Sequence, residues 1–243
     1  MPKATALQPA ERADVDADTI GDMFEVGAHY GLARRRRHPS TIEYIFGLKD
    51  GIEIIDLEKT QALLNDAVGF LEELGEEGQQ ILFVTSKPEA DQTVRTLAAS
   101  IEQPFVTGRW IGGTFTNFDN IRGRIRHLDE LEEKRASGEL EKYTKKEQLL
   151  FEREIDRLIE KFGGIRDMTK IPAAIVVVDS KEEQIAVDEA HHADVPIVSL
   201  LNVDCDVNQI DYPIVANDGR ADSIRYFLQL LRDAYARGAD IAV

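Results

Sequence analysis

The chain is predicted to fold as a parallel α/β sandwich with helices on both faces of its sheet, plus a projecting antiparallel helical hairpin. Three observations predict this. Strand-length apolar runs alternate with stretches of helical periodicity over most of the 243 residues. Two of the runs, Ile81-Leu-Phe-Val84 and Ile175-Val-Val-Val178, are apolar at every position, as strands covered from two sides must be. Between Thr116 and Lys161 no strand candidate occurs, and two narrow apolar stripes run through charged sequence.

Taken in order, residues 1–17 are small, polar and acidic and are expected to form a disordered tail. A short helix is expected from about Asp18, with Ile20, Met23 and Phe24 on one side. Arg34 to Arg37 follow, before Pro39. Four consecutive cations repel one another on any regular element, so they make either a solvated loop or a phosphate contact. Tyr44-Ile-Phe46 and Ile52-Glu-Ile-Ile55 are short strands around the turn Lys49-Asp50-Gly51. Asp56 caps a helix carrying Leu57, Leu64, Val68 and Leu71, which ends near Gly75 or Gly78.

Gln80 to Thr85 is a buried strand, after which Ser86 and Glu89 have the spacing of a capping box. Pro104-Phe-Val106 is the next core strand, and Pro172 to Asp179 the one after the hairpin. Ser180 and Glu183 repeat the capping-box spacing before a helix through His192. Val195 to Leu201 and Tyr212 to Val215 are the last strands. A final helix from about Arg220 to Arg237 turns Ile224, Phe227, Leu228, Leu231 and Tyr235 inward. Helical crossovers between these strands imply a parallel sheet, and the whole is flavodoxin-like.

In the hairpin, Ile121, Ile125, Leu128 and Leu131 form one stripe; Phe151, Ile155, Leu158 and Phe162 form the other. Ser137-Gly138 breaks the first helix, Thr144 and Glu147 box the start of the second, and Gly163-Gly164 stops it. This coiled-coil-like arm, charged on most faces, is expected to add little to a core and to reach a neighbour. The expected division is a sandwich of residues 18–115 and 164–243, with an arm of residues 116–163.

The hydrophobic fraction, 43%, suffices for a core, and Cys205 alone excludes an internal disulfide framework. No apolar run is long enough to span a bilayer, and the start is too acidic for a secretory signal, so a cytoplasmic protein is expected. Net charge is −16, from 45 acidic and 29 basic residues, which argues against a generic polyanion binder. Two local basic clusters survive that balance: Arg34, Arg35, Arg36 and Arg37, and Arg109, Arg122, Arg124 and Arg126. Salt screens distant charges, so such clusters can grip phosphate on an acidic molecule.

The second cluster surrounds Thr107-Gly-Arg-Trp-Ile-Gly-Gly-Thr-Phe-Thr-Asn-Phe118, which holds the only tryptophan. Gly112-Gly113 lacks the lysine of a phosphate loop, and no GxGxxG is present. The segment is either a tight strand-to-helix turn with Trp110 in the core or a surface built to be docked. Polar residues at the strand ends, Asp179, Asp204 and Asn217 among them, leave a nucleotide- or metal-binding enzyme as an alternative. His29, Asp204 and Asp206 come from unrelated loops and make a weak ligand set, so no metal is assigned. No nucleophile has a base beside it, and no cofactor or catalytic residue is expected.

The ordered set of Gly27-x-His29-Tyr-Gly31, the arginines before Pro39, Gly51-Ile-x-Ile-Ile-Asp56, Arg109-Trp-x-Gly-Gly-Thr-x-Thr-Asn-Phe118, Thr144-Lys-Lys-Glu147 and Gly163-Gly-Ile-x-Asp-Met168 resembles the bacterial second protein of the small ribosomal subunit. The resemblance spans about residues 19–238. It implies a structural protein without catalysis, bound to small-subunit ribosomal RNA between head and body. It also implies neighbouring small-subunit proteins as partners, the messenger-binding first one included, and no membrane. On this reading the RNA-binding set is Arg34, Arg35, Arg36, Arg37, Arg109, Trp110, Gly112, Gly113, Asn117, Arg122, Arg124 and Arg126. The chain departs from the family pattern at Leu32, where a second histidine is usual, and at Arg37-His38, in place of a tryptophan-asparagine pair.

Overall fold

The computed structural model describes residues 19–241, so the expected tail lies outside the described residues. The chain opens with α1 (Thr19–Glu25) and β1 (Tyr30–Ala33), then β2 (Ile45–Lys49) and β3 (Ile52–Ile55). These three strands make a small antiparallel sheet in the order β1-β3-β2. Next come α2 (Leu57–Glu76), β4 (Ile81–Thr85), α3 (Pro88–Ser100) and β5 (Phe105–Thr107). The hairpin is α4 (Phe118–Ala136) and α5 (Lys145–Phe162). The chain closes with β6 (Ala174–Val178), α6 (Gln184–His192), β7 (Ile197–Leu201), β8 (Tyr212–Val215) and α7 (Ala221–Gly238). The main sheet is parallel throughout, in the order β5-β4-β6-β7-β8.

Alternation along the strands divides the core in two. Ile81, Phe83, Val176, Val178, Val198 and Leu200 face α2, α3 and α7. Leu82, Val84, Ile175, Val177, Ile197 and Leu201 face the other way, onto α4, α5 and α6. Every residue of β4, β6 and β7 is buried, as their near-continuous apolar sequences require. The inward residues expected of α7 are all buried.

The hairpin corrects one expectation. Ile121, Ile125, Leu128 and Leu131 of α4 and Ile155, Leu158 and Phe162 of α5 belong to the core beneath the second face of the sheet. Their stripes meet the sheet as well as each other, so the near half of the arm is a covering layer. Burial fades beyond Leu131, and almost all of residues 133–150 are exposed. The turn uses Gly138 at φ 73°, and Thr144 and Glu147 form the expected capping box, with Thr144 N donating to Glu147 at 2.9 Å.

Three local readings change. Phe24 is exposed while Met23 is fully buried. Ser86 does not cap α3, because Lys87 takes the N-cap position ahead of Pro88 and no side chain caps it. Ser180 does not cap α6 either. Asp179 sits in the left-handed region at φ 67° and accepts from the amides of Lys181 and Glu182, both at 3.1 Å. Ser86 and Glu183, one from each apparent box, are hydrogen-bonded to each other.

α2 and α7 cross at glycine. A Cβ at Gly75 would collide with the Tyr235 carbonyl, and one at Gly238 with the Glu72 carbonyl. Backbone cannot yield as a flexible side chain can, so Gly238→Ala is expected to lower stability by about 1–3 kcal/mol in urea denaturation. Gly69→Ala, in α2 but with open space around its Cβ, is expected to raise it by about 0.4–1 kcal/mol.

Candidate nucleic-acid interface

β1 runs into one turn of 3-10 helix, Arg34–Arg36, which fans the arginine run outward. Arg34 and Arg35 are exposed and make no ion pair among the described residues. Arg36 donates to Asp204 at 3.1 Å, and that carboxylate also takes Lys181 at 2.9 Å. Arg37 points back into the protein and donates to Glu53, 2% exposed, at 2.9 Å. Among the described residues the run therefore splits into two unpaired cations, one shared and one internal. His38 turns to Ser40 and lies 3.7 Å from Asp206.

The tryptophan segment leaves β5 through Gly108, at φ 90°, a conformation that side chains resist. That turn puts Arg109 on the surface and Trp110 in the core, edge-on to Phe115 at 5.3 Å. The Gly112-Gly113 loop encloses a carboxylate. Glu189 of α6 accepts from Trp110 Nε1 at 3.3 Å and from the amides of Gly113 at 2.6 Å, Phe115 at 3.0 Å and Thr116 at 3.4 Å. This is the amide nest that could have cradled a phosphate, filled by the protein's own anion. Trp110 and Gly113 are thus committed internally, whereas Gly112 and Asn117 remain exposed. Sequence reasoning missed Glu189. Its one signal is an acid between Ala186-Val187 and Ala190 on the apolar face of its helix.

On α4, Arg122 donates to the carbonyls of Arg166 at 3.1 Å and Met168 at 3.0 Å, tying the arm to the segment that re-enters the sheet. Arg124 and Arg126 are exposed. Arg36 and Lys181 stand beyond the carboxyl ends of β7 and β6, and Arg109 beyond that of β5. With strands about 4.8 Å apart, these cations span roughly 14 Å along one edge of the sheet.

Beneath that edge the strand-end polar groups bind one another. Lys87 Nζ lies 2.8 Å from both Asp179 and Asp218, and Asn202 donates to Asp218 at 3.0 Å. One ammonium cannot neutralise two buried carboxylates. Lys87 and two backbone amides hold Asp179 low, whereas burial pushes Asp218 up to about 6. Burial and the neighbouring Asp179 carboxylate drive the Cys205 thiol up to about 12, far from a nucleophile's range. Asp204 and Asn217 do not join this group: Asp204 is taken by Arg36 and Lys181, and Asn217 donates to the Gly27 carbonyl at 3.1 Å. His29 packs between the Phe24 and Tyr30 rings, at 4.3 and 4.0 Å, and burial lowers its pKa. Among the described residues no three His, Cys, Asp or Glu side chains gather to hold a metal.

Residues 23–238 match the family model of ribosomal protein S2. The chain belongs to the ribosomal protein S2 family. Small ribosomal subunit protein uS2 of Helicobacter acinonychis (strain Sheeba) is 40% identical over 223 residues, 92% of this chain and 91% of that protein. The uS2 protein of Roseiflexus sp. (strain RS-1) is 41% identical over 216 residues, 89% of this chain and 82% of the relative. That of Helicobacter hepaticus (strain ATCC 51449 / 3B1) is 38% identical over 220 residues, 90% of this chain and 83% of the relative.

Two consequences of this S2-family core can be measured. Glu189→Ala leaves buried donors unpaired and is expected to cost about 1–3 kcal/mol, with a loosened environment for Trp110 seen in near-UV circular dichroism. Asp218 keeps its proton in the folded chain to about pH 6 but loses it near 4 when unfolded. Its contribution to stability is therefore present at low pH and falls as pH rises between 4 and 6. Asp218→Asn is expected to remove that fall, roughly 1–3 kcal/mol, from the pH dependence of urea unfolding.

Proposed function

We propose that this chain is a structural constituent of the small ribosomal subunit. It holds small-subunit RNA between head and body with exposed guanidinium groups, while its acidic remainder faces water, ions and protein. The family match over residues 23–238 carries this reading, and the geometry gives it a mechanism. Arg34, Arg35, Arg109, Arg124 and Arg126 are exposed cations, and Gly112 and Asn117 are also at the surface. Arg36 is available by exchanging Asp204 for phosphate. Trp110, Gly113, Arg37 and Arg122 shape the surface from within. Contacts of this kind position folded RNA by its backbone and shape.

On this proposal the chain works in the cytoplasm with the ribosome; among the described residues no helix is long and apolar enough to cross a membrane. The exposed far end of the arm is the natural contact for neighbouring small-subunit proteins, the messenger-binding first protein among them. The alternative enzyme reading loses its support, because Asp179 is neutralised by Lys87 and does not converge with Asp204 or Asn217.

Replacing Arg34, Arg35, Arg124 and Arg126 together by alanine is expected to weaken co-sedimentation with the small subunit. Each lost contact should flatten the salt dependence of RNA binding by about 0.7–0.9 in log–log slope. Arg37→Ala should act differently, destabilising the fold by about 3–5 kcal/mol because buried Glu53 loses its partner. Co-sedimentation of the fourfold variant unchanged at moderate salt would sink the mechanism.

A further inference from the structure

One cleft at the carboxyl edge of the sheet is not absorbed by phosphate contact. It has a volume of ≈ 310 Å³. Gly108, Arg109 and Trp110 form one side; Ser86, Glu182, Glu183 and Ile185 form the other. Its charges are arranged unusually. An exposed arginine lines it together with two acidic residues, Glu182 and Glu183, that immediately precede α6. Glu183 is 2% exposed and accepts from Ser86, yet among the described residues its Oε1 has no hydrogen-bond partner. Burial pushes its pKa up despite Ser86, as expected of a carboxylate with fewer donors than it can accept. Ile185 is 55% exposed beside it, an apolar surface of the kind a flat ring covers.

A site with a positive rim and an acceptor-only floor complements a ligand with an anionic end and a donor edge. A basic side chain satisfies the floor but is repelled by Arg109. A nucleotide satisfies both. Among the four RNA bases, only guanine presents two adjacent donors on its Watson–Crick edge, N1–H and the exocyclic amine. A cleft near the lower limit of ligand-sized clefts, roughly 300 Å³, suits one ring system better than a whole cofactor.

We propose that this cleft receives a single unpaired guanine of the bound RNA, with its Watson–Crick edge on Glu183 and Glu182, its ring on Ile185 and its phosphate on Arg109. The proposal rests on the ribosomal reading and adds a base-specific contact to it.

The test is fluorescence anisotropy of the full chain with uridine heptamers carrying a central guanosine, inosine, adenosine or uridine. The guanosine probe is expected to bind about tenfold tighter than the uridine one, with inosine between them because it lacks the exocyclic amine. Glu182→Gln and Glu183→Gln should each shrink that preference without weakening the uridine probe. Arg109→Ala should weaken all four probes alike. If Glu183→Gln fails to fold, Glu182→Gln and Ile185→Ala, both at exposed positions, carry the same comparison. Equal binding of the four probes, or an adenosine preference, overturns the pocket. So does an arginine-rich peptide that displaces the guanosine probe and loses affinity in Glu182→Gln, since the site would then serve a protein. Should the chain co-sediment with the small subunit yet show no guanosine preference, the pocket fails and the ribosomal reading stands; loss of both retires both.

Discussion

A parallel sheet has to be shielded from water on both faces, and that constraint organises this molecule. α2, α3 and α7 cover one face, as the helix leading into the sheet, a crossover and a closing helix. The other face has only α6 from the regular alternation. Much of the rest of its cover comes from the long connection between β5 and β6, which folds as two helices whose lower apolar stripes share a core with Leu82, Val84 and Ile175. Without that root, a broad strip of the sheet would meet solvent. Arg122 reinforces the seam by capping two carbonyls just where the chain returns toward β6.

This explains which parts of the fold were legible in the sequence. Strands apolar at every position, such as Ile81 to Val84, announce double burial, and the stripe of Ile121, Ile125, Leu128 and Leu131 announces a helix with one buried face. Neither says what lies opposite. A stripe spaced for a two-helix seam looks the same when its inner half rests on a sheet, so the arm read as an appendage. The two apparent capping boxes misled for a related reason. Ser86 and Glu183 each sit at the right spacing from a plausible local partner, but they bond across the sheet to each other. A left-handed Asp179 and a proline at the start of α3 take over the ends they were expected to cap.

The candidate interface was legible as composition and hidden as allocation. That arginines cluster near positions 34 and 109 is plain in the sequence. Which of them are free is decided by acids elsewhere in the chain: Asp204 for Arg36, 168 residues away, and Glu53 for Arg37, 16 away. The acidic excess is thus partly an internal supply of counter-ions. Asp204, Glu53 and Glu189 occupy positions where a basic protein would need an external anion.

The carboxylate inside the Gly112-Gly113 loop has a kinetic consequence. Because Glu189 already gathers three amides and the indole N–H, the loop reaches its final shape before any polyanion arrives. On the proposed ribosomal reading, docking is then a rigid-body encounter that spares the entropy a segment ordering itself on contact would forfeit. The same lock prevents the loop from remoulding itself around a different surface, so fidelity here comes from stiffness.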